Sequence, residues 1–146
     1  MSLGDVFPSA IVRDQLKPGK IVHLDCEFAG KPKFIVVACI HPGPYGLVIN
    51  SEVNDFVAKR PHLAQCQVKI DQASHSFLNY DSWIACQEII VFDLGEIHAQ
   101  IEADTSRLKC FLSDDVRDQV LSAVKHAVTI PNIQKQAIVR SLSGQN

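Results

Sequence analysis

The 146-residue chain carries 14 Lys and Arg against 16 Asp and Glu, a formal net charge of −2, and is 47% hydrophobic and 21% charged. That balance excludes the polar, highly charged composition of a disordered chain, and its sign argues against a protein that coats nucleic acid indiscriminately. A chain of this length buries roughly two thirds of its unfolded surface, enough for one core. The longest apolar runs, Phe34 to Ile40 and Ile89 to Phe92, are far too short to cross a bilayer, and with no basic region ahead of an apolar N-terminal segment the expected address is cytoplasmic.

From the N-terminus, residues 2–16 carry little pattern beyond a helical turn expected around Ser9 to Gln15, closed by the Lys17-Pro18-Gly19 turn. Lys20 to Asn50 then reads as three strands joined by two turn-rich loops, the start of a compact antiparallel barrel. The first, at about Ile21 to Phe28, alternates Val22, Leu24, Cys26 and Phe28 with His23, Asp25 and Glu27, the period of a half-buried strand. His23 is therefore read as a surface position. Ala29-Gly30-Lys31-Pro32 turns the chain, and Lys33 to Ile40 is β-branched and aromatic almost throughout, as expected of a strand buried on both sides. Two prolines make His41 to Gly46 a loop. Leu47 to Ser51 resumes as strand, and Val53 to Lys59 fits a short helix before Arg60-Pro61.

Gln65 to Ile70 alternates Cys66, Val68 and Ile70 with polar partners; Trp83 to Phe92 is a further apolar strand bulged near Gln87-Glu88; Ile97 to Ala103 is a weaker one. Beyond Leu112 the period changes. Ser113 stands as an N-cap with Asp114 and Asp115 in the first turn, and Val116, Val120, Val124 and Val128 recur every four residues, an amphipathic helix. Thr129-Ile130-Pro131 ends it, and Asn132 to Leu142 offers Ile133, Ala137 and Ile138 to a second, shorter helix. No repeat, low-complexity tract or linker interrupts the chain. The expected fold is α+β, mainly β: one domain over residues 1–146, its barrel at about 17–112 and its helical segment at about 113–142.

Charge is unevenly spread. Lys17 to Lys69 holds seven bases and four acids, whereas Ile70 to Val120 holds ten acids and three bases. The first half thus has the means to present a basic face to phosphates. Five cysteines lie far apart with no C-x-x-C pair and read as reduced thiols, with Cys26, Cys39 and Cys86 packing as small hydrophobes. None of the six histidines has ligand spacing, so neither metal nor cofactor is expected. His75, among hydroxyl residues, is either a loop histidine or a general acid or base. Asp81-Ser82 and Asn50-Ser51 either cap strands or offer a carboxylate, hydroxyls and an amide at a barrel rim, and Lys31 and Lys33 flank Pro32 at the first hairpin.

The order of these features, with a basic glycine-containing first hairpin, then Val48-Ile49-Asn50-Ser51, then Asp81-Ser82-Trp83-Ile84-Ala85-Cys86, resembles the PemK/MazF-like toxins of toxin-antitoxin systems over about Leu16 to Phe92. The resemblance implies an SH3-like barrel with a C-terminal helix, a homodimer, an antitoxin partner, and metal-independent cleavage of single-stranded RNA through the substrate's 2′-hydroxyl. Carried over by position, Lys33, Ser51 and Asp81 would be catalytic, with His75 as a further candidate, and Lys31, Asn50 and Ser82 would bind substrate. Lys33 stands where typical toxins have arginine, and lysine lacks the planar fork. Slow or absent cleavage is the consequence expected. The alternative is a non-catalytic module of the same fold that binds a protein or nucleic acid.

Overall fold

Curled antiparallel pairing organises the computed structural model, which describes residues 10, 12–26 and 29–144. Seven strands form one sheet: β1 (Lys20–Cys26), β2 (Lys31–Cys39), β3 (Tyr45–Asn50), β4 (Gln67–Ile70), β5 (Ser82–Ala85), β6 (Ile90–Val91) and β7 (Leu108–Phe111). Their order is β4-β5-β3-β2-β1-β7, with β6 also on β3, and the outer strands β4 and β7 are not paired to each other among the described residues. The result is an α+β half-barrel. Helices α1 (Asp55–Ala58), α2 (Pro61–Ala64), α3 (Leu94–Ala103), α4 (Asp114–His126) and α5 (Asn132–Leu142) accompany it, with residues 10 and 12–15 also helical.

Strand alternation sends side chains to two cores. Ile21, Val36, Leu47, Ile49, Val68 and Ile84 pack with Val116, Val120 and Val124 of α4 and with Ala137, Ile138 and Leu142 of α5. On the opposite face Val22, Leu24, Ile35 and Val37 pack with Val12, Leu16 and the α3 residues Ile97 and Ile101. That two-sided cover explains why β2 is buried without interruption from Ile35 to Cys39. Gly19, at φ +92°, makes the turn that ties the sheet's centre: its N–H donates to the Val37 carbonyl at 2.7 Å and its carbonyl accepts from Leu112 N–H at 2.8 Å.

The C-terminal helices follow their local signals. Ser113 Oγ accepts the Val116 N–H at 3.3 Å, and burying each valine of the α4 stripe is worth about 1.5–3 kcal/mol. Two apolar positions fall outside the packing: Val128 lies beyond the end of α4 and Ile133 on the outer side of α5, each 78% exposed.

Several expectations change. The strand at Ile97 to Ala103 is instead α3, capped by Asp93 Oδ1 on the Glu96 N–H at 3.2 Å. Its apolar residues Ile97, Ala99, Ile101 and Ala103 satisfy a period of two as well as a helical one, and the Asp93 cap with Ile97 and Ile101 one turn apart favours the helix. β7 is an unanticipated edge strand, half exposed and so without an apolar run to announce it. The third strand begins at Tyr45, not Leu47, because Tyr45 and Gly46 pair with both β2 and β6. The strand at Trp83 to Phe92 divides into β5 and β6: Ile49 faces Ile84, so an unbroken register would bring Gln87 opposite Gly46, yet Ile90 stands there, three residues on. Phe28 and Glu27 of the expected first strand, and Ser9 of the leading turn, lie outside the described residues.

Candidate functional site

The first hairpin and the end of β3 build the site. Phe34 pairs with Ile49, which brings the preceding Lys33 across from Asn50, and Lys33 Nζ donates to Asn50 Oδ1 at 3.0 Å. Partial burial, and next the like charge of Lys31, lower the Lys33 pKa. Lys33 and Ser51 line two adjoining depressions: one of about 300 Å³ with Asn50, Glu52 and Gln67, and one of about 190 Å³ with Lys31, His23 and Tyr80.

His23, a surface position by alternation, is half-buried and lines the second depression, stacked on Phe34 with ring centroids 4.5 Å apart. Burial, followed by the charges of Lys109 and Arg107, lowers its pKa below the ordinary 6.5, which favours the neutral imidazole, the form that can accept a proton. The signal was present only in register: His23 pairs with Phe34, the residue next to Lys33.

The other sequence candidates are placed differently. Ser82 is 3% exposed and its hydroxyl donates to the Tyr80 carbonyl at 3.1 Å, so it fixes the turn that carries Tyr80 rather than offering itself to a substrate. His75 is fully buried: Ser113 N–H donates to Nε2 at 3.3 Å and Nδ1 lies 3.0 Å from the Asp71 carbonyl. With both ring nitrogens engaged, it fastens the loop after β4 to the start of α4. Asp81 lines neither depression; it accepts the Gln72 N–H at 2.9 Å and pairs with Lys69 at 3.4 Å. The structure thus brings Lys31, Lys33, Asn50, Ser51 and the backbone-bonded Ser82 to the two depressions, whereas Asp81, between the lining residues Tyr80 and Ser82, and His75 line neither.

The Gln72 N–H, foremost, holds the Asp81 carboxyl below its ordinary 3.8. A lowered carboxylate contributes stability above its unfolded value and loses it as pH falls through the folded one. Asp81→Asn is accordingly expected to lower the urea midpoint at neutral pH, with the gap to wild type closing below about pH 3.8. A gap that stays constant into acid would contradict this account.

Elsewhere, a depression of about 330 Å³ between β1, β6 and α3 has an apolar floor, and two of its rim acids are engaged, Asp25 with Arg107 and Asp93 as the α3 cap. All five cysteines are free, and burial raises the pKa of Cys26, Cys66, Cys86 and Cys110, the reverse of an activated thiol. Among the described residues, no three His, Cys, Asp or Glu side chains gather as a metal site, and no helix is long and apolar enough to cross a membrane.

No protein-family model and no curated protein matches this chain.

Proposed function

We propose that this chain is a PemK/MazF-like toxin that cleaves single-stranded RNA, a reading that carries with it an SH3-like barrel, a homodimer and an antitoxin partner. The observation that carries it is the grouping of a neutral-leaning imidazole, His23, with Lys31, Lys33 and Ser51 around one depression. His23 takes the proton of the ribose 2′-hydroxyl, whose oxygen attacks the adjacent phosphorus. The 5′-oxygen of the next nucleotide leaves and takes a proton from water, whose hydroxide reclaims the proton held by His23, yielding a 2′,3′-cyclic phosphate and a 5′-hydroxyl end. Lys33, held by Asn50, and Lys31 stabilise the charge that builds on the phosphorane.

Removing a stabilising donor of this kind costs about a hundredfold or more in rate. Lys33→Ala is expected to slow cleavage of a single-stranded RNA by about that factor, and His23→Ala by on the order of a hundredfold or more. The wild-type rate should fall in acid as His23 gains a proton, with its midpoint below the ordinary imidazole value of 6.5, since burial and then Lys109 and Arg107 lower the His23 pKa. Cleavage by Lys33→Ala at the wild-type rate would end the reading.

One observation favours a non-catalytic binding module instead. Asp81 and His75 stand away from Lys33, so the acidic partner implied by the resemblance is missing from the depression. In that case the wild-type protein leaves RNA intact but binds it, and Lys33→Ala weakens binding alone.

A further inference from the structure

The depressions around Lys33 are part of a longer trough. The one holding Asn50 shares Lys33 and Ser51 with the depression under Tyr80, and shares Asn54, Val57 and Gln87 with a third, of about 560 Å³, flanked by Phe56. Tyr80 and Phe56 are 58% and 59% exposed, unusual for large aromatic rings that have a core available nearby. Both are held in place. Ser82 anchors the Tyr80 carbonyl, and the Asn54 cap fixes the start of the short helix α1 that carries Phe56. Arg60 lies with Cζ 3.5 Å from the Phe56 ring centroid while its Nη1 donates to the Phe56 carbonyl at 2.8 Å. The guanidinium thus covers one side of the ring and adds positive charge at that end of the trough.

We infer that Tyr80 and Phe56 are stacking platforms for the bases of a single-stranded RNA on either side of the phosphate held at Lys33. This rests on the RNA-directed reading above and extends it to the flanking nucleotides. Every base has a π-face, so aromatic platforms of this kind grip single strands with little regard to sequence, while Lys31, Lys33 and Arg60 supply the charge that a phosphate chain requires. A base-paired helix keeps its bases stacked on one another and has none to offer these rings. Selection for single strands follows from that geometry.

The test uses the full chain and a short fluorescein-labelled 2′-O-methyl oligoribonucleotide, which lacks the attacking hydroxyl and stays intact. Phe56→Ala and Tyr80→Ala are each expected to weaken binding by about tenfold with an unchanged salt slope, since stacking moves no counterions. Phe56→Trp should retain binding. Lys33→Ala should reduce the slope of log affinity against log salt by about 0.7. An abasic strand of the same length should bind the wild type weakly and the Phe56→Ala protein no more weakly still. Wild-type affinity in both aromatic variants, alongside weakened Lys33→Ala, would overturn the platforms and leave the phosphate site standing. Failure of the wild-type protein to bind the oligonucleotide at all would overturn both.

Discussion

Gly46→Val should prevent this chain from folding, and Gly46→Ala should cost about 1–3 kcal/mol, the range for overpacking a filled core. Gly46 sits in the middle of the sheet, opposite Val37 of β2 on one side and Ile90 of β6 on the other. A Cβ at this position would collide with the Phe92 ring and come within 2.7 Å of Ile35 Cγ2, which is fully buried. The Ile35 side cannot yield, because Val22 and Val37 pack beside it in the same closed core. The Phe92 ring, half exposed, can move. Gly46→Ala combined with Phe92→Leu is therefore expected to recover part of the loss, a coupling of about 0.5 kcal/mol or more between touching residues. Urea midpoints of the four proteins measure it. Additive losses would mean that β6 does not lie against β3 as described.

His75→Ala is expected to lower stability by about 3 kcal/mol, because it opens a cavity and strips partners from two backbone groups, each worth about 1–3 kcal/mol when left unsatisfied inside a protein. Those groups are the Ser113 N–H and the Asp71 carbonyl, and the imidazole between them is fully buried. Ser113 is also the α4 cap, so the loss falls on the helix whose valines fill the larger core. His75→Gln, with a carbonyl oxygen to accept and an NH2 group to donate on a flexible arm, should lose less. Thermal unfolding separates this from a role in chemistry: a His75→Ala protein of wild-type stability with impaired RNA cleavage would return the residue to the catalytic site.

His75 also marks where the linear pattern was silent. Nothing in Ala73-Ser74-His75-Ser76 separates a buried connector from a loop histidine, since its partner Ser113 lies 38 positions away. At His23 the pattern was right but incomplete: alternation placed it on the face opposite the buried Val22 and Leu24, and that face ends in the depression beside Lys33. The juxtaposition of Lys33, Asn50 and Ser51 was readable as a grouping of residue types at two strand ends, whereas Asp81, proposed on the same grounds, turned to Lys69 and Gln72.

Helices α4 and α5, the Ser113 cap, the first two strands and the Gly19 turn could all be read from the residues in order, because a four-residue period, alternation in β1, an unbroken apolar run in β2 and turn chemistry each leave their mark within a single segment. Long-range pairing settled the rest. The same apolar spacing served strand or helix at Ile97 to Ala103 until the outer face of the sheet needed covering, and three residues were expelled between β5 and β6 so that both could line the edge of β3. Which polar side chains meet at the head of the first hairpin depended on that register, and no local period encodes a register between strands.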